Sequence, residues 1–186
     1  MPSRWFLLAF VMFALCGVTN ALDKKDKAPK PEVYTSEAGR FTVTVAGKVT
    51  TDNKQIAYGA NPEQSVNRTT SKWDALPSGN YSVTHADYPD TFKGLGDKLL
   101  DGARDGVKGP DGLGGGIESE KPVDILGPDD AKVAGREVLV KARKNWVRVR
   151  LVVVELRLYQ VMVTGTEEAV KSDAAKQFLD SFRLTQ

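Results

Sequence analysis

The sequence predicts an α+β fold, an antiparallel sheet flanked by helices on both faces in an α/β/α sandwich. Residues Gly135 to Thr164 form the longest strongly β-branched stretch of the chain and divide into three consecutive antiparallel strands. In them Val147, Val149, Leu151 and Val153 alternate with Trp146, Arg148, Arg150 and Val152, the period of two that marks a strand with two different faces. The second face is also largely apolar, because Val152, Val154, Tyr159, Val161 and Val163 recur among Arg148, Arg150 and Arg157, so both sides call for cover. Two amphipathic stripes, one before and one after this meander, are available to supply it.

The chain begins with what reads as a cleaved export signal, Met1 to Ala21. Arg4 gives the positive start, Trp5 to Cys16 is an apolar run short for a bilayer, and Thr19 and Ala21 are small residues placed for cleavage after Ala21. Removal of the leader takes away Cys16, the single cysteine, leaving no disulfide, thiolate nucleophile or cysteine metal ligand. A retained leader or a lipidated Cys16 is the alternative, although Leu15 stands where a lipidation site needs a small residue. Residues 22–35 are charged and proline-punctuated, with little apolar to bury, and read as a disordered tether. One domain is expected over 36–186. The formal net charge is +2, one unit of it from Arg4, so the exported chain is near neutral and has no long-range field toward nucleic acid or anionic lipid.

Within the domain, Arg40 to Ala46 alternates Phe41, Val43 and Val45 against threonines, a half-buried strand stopped by Gly47. The pattern fades from Lys48 to Asn61, and Gln64 to Trp73 is a polar, threonine-rich second strand. A turn at Leu76 to Asn80 leads into a strand over Tyr81 to Tyr88, closed by Pro89. Phe92, Leu95, Leu99, Leu100 and Ala103 form the stripe of a helix over Thr91 to Val107, weakened by Gly94, Gly96 and Gly102. After a glycine-rich loop, Ile117 to Leu126 is a strand whose Pro122 suits an edge or a bulge. Beyond the meander, Ser172 caps a last helix over Asp173 to Phe182.

Several side chains invite a chemical reading. His85, the sole histidine, shares a strand face with Asp87, a pair suited to general-base work or to part of a metal site. No second histidine or cysteine completes a zinc set and no GxSxG elbow supplies a nucleophile, so a half-buried strand position of aromatic type is favoured. Asp111 to Gly116 could cradle an anion through its backbone but lacks the lysine and helix of a phosphate loop. Asp97, Asp101 and Asp105 recur at helical spacing without the spacing of a calcium loop, and Lys98 and Arg104 between them point to a solvated face. Asn67-Arg68-Thr69 is a glycosylation sequon of the kind that arises by chance. Arg148, Arg150 and Arg157, with Trp146 and Tyr159 interleaved, are the candidate partner-binding patch. The competing role for these arginines is to pack their stems beneath a helix.

The order FTVTVAG, YSVTHADYP, a helix ending DGARDGV, GREV, RLYQVMV and FLDSFRL resembles the PsbP-like fold family, small exported bacterial proteins, over roughly Arg40 to Leu184. The resemblance implies a sheet with helices and a binding or assembly role without catalysis, and it carries over no site residue. The expectation is therefore a periplasmic or secreted, non-catalytic module with a protein partner in the cell envelope, needing no cofactor and no metal. The alternatives are an enzyme centred on His85 and Asp87, which a deep polar cleft there would favour, and an envelope-anchored structural protein.

Overall fold

The computed structural model describes residues 30–58, 64–76, 79–108, 115–143 and 145–186; the expected leader and most of the tether lie outside them. In chain order the strands are β1 (Glu32–Ser36), β2 (Phe41–Val45), β3 (Lys48–Ala57), β4 (Ser65–Leu76), β5 (Gly79–Asp87), β6 (Gly116–Leu126), β7 (Lys132–Lys141), β8 (Trp146–Val154), β9 (Arg157–Gly165) and β10 (Arg183–Leu184). The α-helices are α1 (Gly96–Lys108), α2 (Glu167–Lys171) and α3 (Asp173–Ser181). All ten strands join one sheet in the order β1-β2-β10-β6-β7-β8-β9-β5-β4-β3. Neighbours pair antiparallel except β10 and β6, which run parallel with Arg183 opposite Leu126.

This corrects the expected α/β/α sandwich. The sheet is mixed and curls into a half-barrel, and of the described residues 57% are strand against 23% helix. The reason lies in strands whose side chains show no apolar alternation. β3, KVTTDNKQIA, is the outermost strand beside β4 and exposes nearly every side chain, so water imposes no pattern on it. β1 starts at Glu32, inside the stretch assigned to the tether. Its Tyr34 ring lies 5.1 Å from Trp73 of β4 and 6.1 Å from Phe41 of β2. Phe41 in turn lies 6.3 Å from His85 of β5. These contacts bring strands from opposite ends of the order together, which is what curls the sheet.

The meander forms as its pattern requires. Val147, Val149 and Leu151 of β8 are fully buried, and with Val138, Val140 and Leu158 they meet Leu100 and Ala103 of α1. The opposite face, Val152, Tyr159, Val161 and Val163, packs on Phe178 and Leu179 of α3, Val170 of α2 and Phe182 just beyond α3. Each such side chain contributes about 1.5–3 kcal/mol when buried. Ser172 caps α3 by accepting from the Ala175 N–H at 3.2 Å, and Thr166 caps α2 in the same way through Ala169. Pro122 sits where β6 pairs with β7 alone, since β10 reaches β6 only at Leu126, so its missing N–H costs no ladder bond on that side.

The first helix begins later than its stripe suggests. Asp90–Phe92 is a single 3-10 turn, and Gly94 at φ 76° breaks the path before α1 starts at Gly96. Phe92 is thereby released from the helix stripe. α1 lies chiefly over β7 and β8, so the same face continues past it across β9, β5 and β4.

Candidate functional site

The arginines divide into two unrelated constellations. Register places Glu137 of β7 opposite Arg150, with Arg148 two residues away on the same face. Arg148 donates to Glu137 Oε1 from Nε and Nη2 at 3.0 and 2.8 Å, and Arg150 Nε donates to Oε2 at 2.8 Å. Arg150 reaches on to the Leu179 carbonyl at 2.9 Å and Asp180 at 2.5 Å, tying α3 to the sheet. Glu137 is only 5% exposed. Burial alone would raise its carboxyl, but hydrogen bonds and charge from Arg150 and Arg148 hold it below the ordinary carboxylate value. Trp146 stands at the end of this row, half-buried, with the ammonium groups of Lys171 and Lys141 at 4.7 and 5.3 Å from its ring.

Arg157 belongs elsewhere. It grips Asp87 through Nε and Nη2 at 2.5 and 2.6 Å and donates from Nη1 to the Ala38 carbonyl at 2.9 Å. The Arg157 hydrogen bond holds the Asp87 carboxyl low, and Asp87 raises the guanidinium in return. Tyr159 is 2% exposed and packs in the core, so it offers no ring to a surface patch. A hollow of about 310 Å³ adjoins Asp87, Arg157 and Tyr159, and His85 does not line it.

His85 is 7% exposed and set between the rings of Phe41 and Tyr159, each 6.3 Å away. Its Nδ1 has no partner among the described residues. Burial first, and the Arg157 charge second, lower its pKa below 6.5 against the opposing pull of Asp87, so the imidazole is neutral at pH 7. The aspartates of α1 serve as ion-pair partners. Asp101 and Asp97 accept from Arg136 at 2.6 and 3.2 Å, and Arg104 lies between Asp101 and Asp105 at 3.3 and 3.0 Å. Among the described residues no group of three or more histidine, cysteine, aspartate or glutamate side chains is placed to hold a metal ion. Most of the Asp111 to Gly116 loop falls outside the described residues.

A further feature among the described residues is one that sequence patterns did not single out. Between α1 and the uncovered part of the sheet lies a groove of about 700 Å³, lined from β3, β4 and β9, from Tyr88 just past β5, and from the helix. One wall is a cluster of three rings, with Phe92 at 5.2 Å from both Tyr58 and Tyr88. Leu158 and Met162 of β9 give it an apolar floor, with Gln160 and Thr164 between and beyond them. The charged residues among those lining it are Arg68 and Lys98, both cationic. Arg68 Nε is shut off from solvent with no acceptor among the described residues, a partial desolvation that carries a cost.

α1 contributes Gly102 and Gly106 to the same groove, and a Cβ on either would meet no heavy atom within 4 Å. Each glycine weakens the helix by about 1 kcal/mol relative to alanine, and packing among the described residues gives no reason for it. With Leu99, Ala103 and Val107 they fall on one side of the helix, at spacings of three and four. That placement, glycines on the apolar side of a helix, was the signal available in the sequence. Arg68 had stood out only as the middle of a sequon, which the structure places within β4.

No family model and no curated protein matches the chain. Among solved structures it is similar to cyanobacterial PsbP (CyanoP) from Synechocystis sp. PCC 6803, with a TM-score of 0.50 and 12% identity, over 92% of this chain and 98% of that one. At such identity the likeness is one of fold. The curled sheet and its helices have the PsbP-like fold that the sequence motifs resemble.

Proposed function

We propose that the protein is an exported, non-catalytic binding module that engages a protein partner in the cell envelope through the groove beside α1. The observation that carries this is the groove itself, with an aromatic wall, two cations with no acid among the described lining residues, and helix glycines that hold space open. Its volume of about 700 Å³ is within the ordinary range for ligand-binding clefts. Export rests on the character of Met1 to Ala21. Among the described residues no helix is long and apolar enough to cross a membrane. An enzyme centred on His85 and Asp87 gains no support, because His85 is ringed by aromatic side chains and Asp87 is committed to Arg157.

A photoreactive amino acid at position 98 tests the proposal, with one at position 176 as the control. Lys98 is exposed at the groove and Lys176 is exposed on α3, away from it. In the native compartment, irradiation should join one envelope protein to position 98 and none to position 176. Equal labelling from both positions, or none from position 98, would overturn it.

A further inference from the structure

We infer that the groove beside α1 takes a short extended segment of the partner in which a carboxylate side chain neighbours an aromatic or aliphatic one. This rests on the binding role proposed above and adds the chemistry of what is bound. Charge sets the first requirement. Arg68 and Lys98 line the groove, and Lys54 stands directly across the β3–β4 ladder from Arg68, on the same face of the sheet. Like charges placed opposite one another on a sheet repel, and Lys54 turns to Asp52, at 3.3 Å. Among the described residues Arg68 has no such relief: its Nε is buried without an acceptor there, and the described lining holds no acid. A carboxylate entering beside that guanidinium supplies the missing counter-charge in a charge-assisted hydrogen bond.

The rings of Tyr58, Tyr88 and Phe92 set the second requirement, since their edge-to-face and tilted packing presents an apolar wall to an aromatic or aliphatic side chain. Length sets the third. From Lys98 to Val107 the helix rises about 14 Å, the span of about four extended residues. The bare helix surface at Gly102 and Gly106 lets a chain lie close along it. A fatty acid would match the cations and the apolar wall, but its tail would press hydrocarbon onto the Gln160 amide and the Thr164 hydroxyl. A peptide offers those groups its own amides.

Fluorescence anisotropy on the purified full chain tests this, with a fluorescein-labelled Phe-Asp-Phe-Glu peptide, its uncharged Phe-Asn-Phe-Gln twin, and dodecanoate as competitor. The acidic peptide should bind about 10-fold or more tightly than its twin. Arg68→Gln should shrink that preference. Gly102→Leu, which fills the groove from a site with no packed neighbour, should weaken both peptides about 10-fold or more without lowering the thermal midpoint. Equal affinity for the two peptides, a preference that survives Arg68→Gln, or binding indifferent to Gly102→Leu would overturn the inference. Dodecanoate binding with neither peptide bound would overturn it in favour of a small acid. If position 98 still crosslinks one partner while the peptides fail, the chemistry alone is wrong. If both fail, so does the binding role.

Discussion

Glu137→Ala should cost about 3–5 kcal/mol of folding stability, read as a fall in the denaturant midpoint at unchanged slope. The carboxylate is 5% exposed and accepts from both Arg148 and Arg150, whose side chains keep only 16% and 11% of their surface in water. Among the described residues, removing it leaves these guanidinium groups with one remaining acid, Asp180, which only Arg150 reaches. The loss is therefore the penalty of unpaired, desolvated charge, larger than the net worth of the pairs themselves. Glu137→Gln keeps an acceptor and should cost less. Replacing Glu137, Arg148 and Arg150 together by leucine or methionine should recover much of the stability, because no charge is then stranded. The same carboxylate gives the fold an acid limit. Its folded pKa is depressed, so its contribution is complete above the ordinary value of 4.5 and is lost as pH falls through the folded value. His85 acts in the same direction at higher pH: its pKa is lowered from 6.5, so below 6.5 the unfolded chain takes up the proton more readily and stability falls. A stability profile flat from pH 7 to pH 5 would contradict the His85 assignment, and one flat from pH 4.5 downward would contradict that of Glu137.

What could be read ahead of the structure follows where water imposes a pattern. β8 and β9 were legible because each has two faces pressed against different cores, so alternation persists along their whole length. β3 was not, because an edge strand with exposed side chains places few demands on residue type. The curl depends on Tyr34 meeting Trp73 and Phe41 meeting His85, pairs separated by roughly 40 positions; no local period encodes them. Arg148 and Arg150 were visible as a charged row, yet their counter-charge is set by the β7–β8 register, which aligns Glu137 with Arg150 rather than with a neighbour. The groove was hidden for a related reason. Tyr58, Arg68, Tyr88, Gly102 and Gln160 come from five elements or their ends, and only the sheet order β9-β5-β4-β3 gathers them beside α1.

Val149→Asp should abolish cooperative unfolding. Val149 is 0% exposed and pairs with Val138 on one side and Met162 on the other, beneath α1. The cation nearest in the register on that face is Arg136, opposite Leu151, and Asp97 and Asp101 already hold it. A carboxylate at position 149 must then either stay charged without a partner or take up a proton inside an apolar cluster. Either route costs more than the usual 0.5–3 kcal/mol of a point substitution and consumes much of a stability on the order of 5–15 kcal/mol. Two comparisons isolate the cause. Val149→Ala removes methyl groups but adds no charge, and should leave a cooperative transition about 2–3 kcal/mol lower. Val33→Asp puts the same charge on β1, where the side chain is 68% exposed, and should shift the transition by no more than about 0.5 kcal/mol. If Val149→Asp instead melts like the parent chain, Val149 faces water, and the packing of α1 on β7 and β8 cannot stand; nor can the groove, since its position is fixed by where that helix stops covering the sheet.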